Sequence, residues 1–260
     1  MSIKHLVYNL LFPPKCSNCN SLLDVSINEK VSDTLCPSCR IQYENEKQRE
    51  CKRCGLAMKF CRCMPSNMEK AQCSCLLKLI SYRSKDESFP IRKFLYSVKR
   101  RDDRIYFDFI AEQLREILIA EMRSQNLMPD DCVITYMPRS KKNKSEHGFD
   151  QGLSLAKSLS NITGIKFVDC FKRRLFTEEQ KNLNEFERKL NMKSAYDRRD
   201  VGELLEDKTL ILVDDIVTTG SSMAACARLA FSMGAYNVLG ICIGLTEKEK
   251  NIYKNKRRND

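Results

Sequence analysis

The stretch that most constrains the fold is TLILVDDIVTTGSSM, residues 209–223. Residues 210–213 are Leu, Ile, Leu and Val, and an apolar run of strand length without polar alternation suits a strand buried on both faces of a parallel sheet. Two carboxylates, Asp214 and Asp215, follow at its end, where open parallel sheets bind their ligands. Thr218, Thr219, Gly220, Ser221 and Ser222 then form a loop. Its glycine permits a tight turn, and its hydroxyls and N–H groups can surround an anion. Residues 223–233 are rich in Ala and Leu and read as a helix stopped by Gly234. A phosphate would sit at that helix's N-terminus. A bare Asp-Asp pair would read more simply as a helix cap, but here the whole strand–acid–loop–helix order points to a ligand site.

That order resembles the diphosphoribosyl-binding signature of the phosphoribosyltransferases. The resemblance implies an α/β fold of type I, a parallel sheet flanked by helices. It also implies that Asp214 and Asp215 face the ribose 2′- and 3′-hydroxyls, that residues 218–222 hold the 5′-phosphate, and that Mg²⁺ accompanies phosphoribosyl diphosphate.

At 260 residues the chain can bury a sizeable core, as one large domain or as a smaller one with an appendage. Cysteine usage favours the appendage, because ten of the 14 cysteines lie between Cys16 and Cys75. Cys132, Cys170, Cys226 and Cys242 are scattered among apolar neighbours and read as small core residues. Cys16-x-x-Cys19 and Cys36-x-x-Cys39 are sixteen residues apart, a spacing that fits a four-thiolate zinc site built from two knuckles. Cys51-x-x-Cys54-Gly55 and Cys61-x-Cys63 offer a second zinc site, with Gly55 supplying a positive φ. Cys73-x-Cys75 is another available pair, and a cross-braced pairing fits equally. No histidine or open position accompanies these thiols, so zinc is expected to be structural.

Residues 1–12 read as a short amphipathic helix rather than a secretion signal, and no run reaches the length of a membrane span. A cytoplasmic location follows as an expectation, because clustered thiols there bind metal more readily than they oxidise. A net charge of +11, from 45 basic and 34 acidic residues, favours polyanionic partners.

Along the chain, residues 76–82 read as a strand that opens the second domain, 107–123 as an amphipathic helix, 131–136 as a strand ended by Met137-Pro138, 152–159 as a helix, and 165–168 and 237–245 as strands. The expected division is 1–75, a helix and zinc module; 76–246, the ligand-binding domain; and 247–260, a basic tail. Residues 139–151 are too polar to pack inside. Arg139 and Lys141 there could clamp a diphosphate and release it, if the segment is more than a solvated loop.

Several motifs together resemble the ComF family: the paired cysteines, a strand ending in Pro before a basic loop, Gly148-Phe149-Asp150-Gln151, Arg174 with Thr177 and Gln180, Glu187-Arg188 with Asn191, and the acidic pair with its loop. His147 stands where that family usually has Arg. The resemblance implies a phosphoribosyltransferase-like protein whose relatives in competent bacteria take part in DNA uptake. As a transferase it would use Asp214 and Asp215 to orient the ribose and Arg139 and Lys141 to neutralise the leaving diphosphate. The rival expectation is a non-catalytic DNA-handling accessory protein, using the pocket for a nucleotide or single-stranded DNA beside an uptake helicase. The absence of Trp lowers the expectation of tight single-strand stacking.

Overall fold

Among the described residues, five of the seven strands pair side by side and run parallel. In the computed structural model, which describes residues 11, 13–23, 34–83, 86–97, 104–139, 150–174 and 195–247, the strands are β1 (Leu76–Tyr82), β2 (Cys132–Tyr136), β3 (Lys166–Phe167), β4 (Phe171–Arg173), β5 (Tyr196–Arg198), β6 (Thr209–Val217) and β7 (Asn237–Thr246). The central sheet has the order β1-β7-β6-β2-β3, and β4 and β5 form a separate antiparallel pair. The helices are α1 (Pro37–Gln48), α2 (Ser66–Lys70), α3 (Arg92–Ser97), α4 (Arg104–Ser124), α5 (Gln151–Thr163) and α6 (Ser221–Ser232).

Because the sheet is covered on both sides, its strands read as apolar runs rather than alternations. Ile211, Val213, Ile134, Leu239 and Ile241 pack into one core with α4 and α5. Leu210, Leu212, Val133, Val238 and Cys242 pack into a second core with α6 and Met68 of α2. Cys132, Cys170, Cys226 and Cys242 are all buried in these cores, as their apolar neighbours suggest. Among the described residues no helix is long and apolar enough to cross a membrane.

The order of the strands creates a switch point. The chain leaves β2 through α5 to reach β3 on one side, and leaves β6 through α6 to reach β7 on the other. Right-handed crossovers in opposite directions put α5 and α6 on opposite faces, and a crevice opens at the carboxyl ends of β2 and β6 between them. The two strands part there. Pairing of β2 with β6 stops at Tyr136 and Val213, whereas β6 stays paired with β7 through Asp214, Ile216 and Val217. The strand therefore runs four residues past the apolar run at 210–213, because β7 continues to offer backbone partners.

Helix α1 carries no strong apolar stripe, and its buried members are Cys39, Tyr43, Glu46 and Lys47. Tyr43 drives it into an aromatic cluster with Phe94 and Phe109, while Glu46 accepts from Arg83 and Lys47 donates to Gln113. Paired charges and one aromatic replace the periodicity that sequence reading relies on.

A candidate oxyanion site and two candidate metal centres

The loop after β6 is built around Gly220, which caps α6 with φ +69°. A side chain there would be strained, and its Cβ would lie 2.8 Å from Met68 Cγ and 3.1 Å from Pro65 Cβ. Thr219 Oγ1 and Ser221 Oγ lie 2.9 Å apart, and Ser221 N donates to Thr219 Oγ1 at 3.4 Å. Asp214 and residues 216–223 enclose a hollow of about 120 Å³. That is well below the roughly 300 Å³ or more of small-molecule pockets, and it suits an oxyanion rather than a whole nucleotide. The hollow opens at the N-terminus of α6, where unpaired N–H groups and the helix dipole favour negative charge.

The two carboxylates diverge. Strand alternation sends Asp214 toward the α6 face, with Leu210 and Leu212, and Asp215 toward the α4–α5 face, with Ile211 and Val213. Asp215 is 5% exposed and binds Arg139 Nη2 at 2.7 Å. Burial opposes its ionisation, but the Arg139 guanidinium, together with hydrogen bonds from Asp214 and the Ile216 backbone, outweighs that and holds the carboxyl below its usual range. Burial and the adjacent Asp215 charge raise Asp214 well above that range. Neighbouring acids thus divide into one held ionised and one that resists ionisation. Arg139 arrives because β2 ends beside β6, and its backbone N–H also points to Asp150 at 3.4 Å. Sequence reading named both Arg139 and the acids, but 76 residues separate Arg139 from Asp215 and nothing in the spacing reveals the pairing.

Thr218, Thr219, Gly220, Ser221 and Ser222 all line the hollow. Lys141, His147, Gly148, Phe149, Thr177, Gln180, Glu187, Arg188, Asn191 and the tail from Lys248 onward lie outside the described residues, as do residues 1–10 and 12.

The cysteines gather into two sets. Cys16, Cys19, Cys36 and Cys39 converge, as do Cys51, Cys54, Cys61 and Cys63, with the sulfurs of each set within 4.8 Å of one another. Cys19 and Cys36 Sγ are 3.6 Å apart, and so are Cys54 and Cys61 Sγ. Those distances approach the edge of a zinc–thiolate tetrahedron, about 3.8 Å for bonds of about 2.3 Å, and every cysteine is a free thiol. Each set could hold a zinc ion. Burial pushes the Cys39 and Cys63 thiols up to about 12, so ligation by all four sulfurs would release protons. Cys73 and Cys75 stand apart from both sets, with Cys75 Sγ 3.8 Å from Glu121.

The first knuckle of each set is one structure used twice. Cys16 N donates to Ser21 O and Asn20 N to Cys16 O, with Asn20 at φ 64°. Cys51 N donates to Leu56 O and Gly55 N to Cys51 O, with Gly55 at φ 72°. Bridges Lys15↔Leu22 and Glu50↔Ala57 close the two at the same offsets. Asn in the first copy hides a repeat that Gly makes visible in the second.

Comparison with known proteins follows the same lines. No family profile matches the chain. The DNA utilization protein YhgH of Escherichia coli is 26% identical over 221 residues, 80% of this chain and 89% of that one. The Salmonella typhimurium protein of that name is 30% identical over 131 residues, half of this chain and 56% of its own length. Competence protein F of Haemophilus influenzae is 22% identical over 226 residues, covering 86% and 93% of the two chains. Among solved structures, a purine phosphoribosyltransferase from Pyrococcus horikoshii aligns with 54% of this chain and 77% of its own, at 17% identity and a TM-score of 0.34. By sequence, then, this α/β chain with its paired cysteine clusters is a distant relative of competence protein F and YhgH, the group its motifs resemble.

Proposed function

We propose that the chain binds phosphoribosyl diphosphate, or a nucleotide of like chemistry, in the crevice between β2 and β6, and that this binding serves DNA handling. One observation carries the reading: the hydroxyl-lined hollow at the α6 N-terminus includes Asp214, whose neighbour Asp215 is bound to Arg139, at the switch point of a parallel sheet. The 5′-phosphate would sit among Thr218, Thr219, Gly220, Ser221 and Ser222. Asp214 and Asp215 would accept from the ribose hydroxyls, and Mg²⁺ would accompany the diphosphate. The link to DNA comes from the names of the relatives, with single-stranded DNA and an uptake helicase as the partners the likeness suggests. Within this reading residues 1–75 form the zinc module, with two zinc ions, 76–246 the ligand domain and 247–260 a basic tail, in a cytoplasmic protein.

A transferase would displace diphosphate at the sugar C1 through a cationic transition state, and the protein's part would be positioning and charge stabilisation. Arg139 and Lys141 are the candidates for neutralising the leaving group. Arg139 is already bound to Asp215, which favours the second reading, a pocket that binds without turnover.

Calorimetric titration with phosphoribosyl diphosphate and Mg²⁺ tests the site. Replacing both Asp214 and Asp215 by Asn removes an ionised acceptor, contributing about 1.5 to 3 kcal/mol, and a neutral one, contributing about 0.5 to 1.5 kcal/mol, and should weaken binding by roughly one to three powers of ten. No binding by the unaltered chain, or unchanged affinity in the folded double variant, would overturn the assignment. Diphosphate release with and without single-stranded DNA separates turnover from binding.

A further inference from the structure

The second cysteine cluster is fastened to the oxyanion loop. Helix α2 begins three residues after Cys63 and is a single turn of five residues, too short to hold its shape without tertiary support. That support comes from the cluster on one side. Arg53, inside the Cys51–Cys54 knuckle, pairs with Glu69 Oε1 at 2.7 Å and donates to Met64 O at 3.1 Å. Lys78 donates to the carbonyls of Cys61 and Cys63 at 3.0 and 2.7 Å. On the other side α2 meets the loop. Pro65 and Met68 pack beneath Gly220, and Asn67 Nδ2 donates to Thr219 O at 3.0 Å and to Ser221 Oγ at 2.8 Å.

The direction of these bonds matters. Asn67 fills an acceptor position on the Ser221 hydroxyl, and Ser221 N fills one on the Thr219 hydroxyl. Between the two hydroxyls one proton is shared, whichever oxygen donates it. One O–H proton is therefore left over among the described contacts, free to donate to an acceptor such as an oxyanion.

We propose that Asn67 is a positioning residue, through which metal occupancy of the Cys51, Cys54, Cys61 and Cys63 cluster sets the shape and oxyanion affinity of residues 218–222. The inference rests on reading that loop as an oxyanion site. A metal ion would fix both thiol pairs, the pairs would fix α2, and α2 would present the Asn67 amide to the loop.

The test uses the full, zinc-loaded chain and two readouts. Amide hydrogen exchange across residues 218–222 should rise about tenfold in Asn67→Ala and in Cys61→Ser, but not in Cys36→Ser, which breaks the other cluster. Titration with inorganic diphosphate should show about tenfold weaker binding in Asn67→Ala at an unchanged melting temperature, the effect of losing the amide's hydrogen bonds. Asn67→Gln, which keeps an amide donor, should recover most of that affinity. Unchanged exchange in Asn67→Ala overturns the proposal even if Cys61→Ser fails to fold, and so does equal loosening in Cys36→Ser. If the unaltered chain binds no diphosphate, the oxyanion reading falls, while the exchange readout still decides whether the cluster braces the loop.

Discussion

The two faces of the sheet hold matching parts and use them differently. Each has a cysteine cluster attached to it and one of the paired carboxylates. On the α4–α5 face the first cluster is sunk into the main core, with Cys16, Cys39 and Tyr43 all buried there. Asn18 ties it down, donating to Cys39 Sγ and Pro90 O and accepting from Phe94 N. The carboxylate on that face, Asp215, is bound to Arg139. On the α6 face the second cluster adds polar contacts to the packing of Pro65 and Met68, by way of Lys78 and α2, and reaches a loop with an unspent donor. Its carboxylate, Asp214, has no cation bonded to it among the described contacts and faces the hollow. The same four-thiol arrangement is thus set into the core on one side and tied to the proposed site's loop on the other, because apolar burial fixes a place while directional bonds transmit an orientation.

Metal removal should give the largest effect. Structural zinc contributes roughly 10 kcal/mol or more of apparent binding free energy in small modules, so chelation should unfold the region of residues 16–75 while the sheet persists. Elemental analysis should return two zinc ions per chain, and zero would break the comparison outright. Next, Arg139→Met strands Asp215 on the first face. Breaking a buried pair costs about 3 to 5 kcal/mol, and partial exposure of Arg139 should bring the loss in melting experiments to the lower end. Lys78→Met leaves the carbonyls of Cys61, Cys63 and Leu76 without their donor. A loss of about 1 to 3 kcal/mol is expected, with zinc released faster from the second cluster alone. Release at equal rates from both clusters would show that the two faces are not separately attached.

The smallest effect concerns pH. Asp214 holds its proton more tightly folded than unfolded, so its contribution is complete below the ordinary carboxylate range and is lost as pH rises through the raised value. Asp215 has the opposite sign, stabilising above that range and losing its contribution as pH falls. Asp214→Asn removes the first and keeps a side-chain donor for Asp215, whose lowering draws in part on a hydrogen bond from Asp214. The variant's stability relative to the unaltered chain should grow as pH rises above about 4, and a difference that shrank over that rise would reverse the assignment of the two acids.

The features legible in sequence were those in which one short stretch carries the signal. The apolar runs of β1, β2, β6 and β7, the Ala-rich α6, Gly220, and the Gly55 knuckle all state their structure locally. The grouping of Cys51 and Cys54 with Cys61 and Cys63 was one of several pairings that spacing allowed, and only the fold excludes Cys73 and Cys75. What stayed hidden depends on distance along the chain. Asn67 meets Ser221 across 154 residues, and Arg139 meets Asp215 across 76. Helix α1 is hard to read in sequence for a different reason, since its charged face is neutralised by partners rather than by solvent.

The strand order also has a consequence in time. Strand β1 pairs only with β7 within the sheet, and Leu76 must wait for Gly240, 164 residues further along. At about 5 to 20 residues per second of synthesis, β1 waits on the order of 8 to 33 seconds for the one strand among the described residues that pairs with it. The four cysteines of the first cluster span residues 16–39, and those of the second 51–63, so both are complete before β1 is made. During that wait LLKLISY, a sticky segment, has a single charge, Lys78. A lone lysine in a β-prone run discourages pairing with other nascent chains, and in the folded chain the carbonyls of Cys61 and Cys63 take it in.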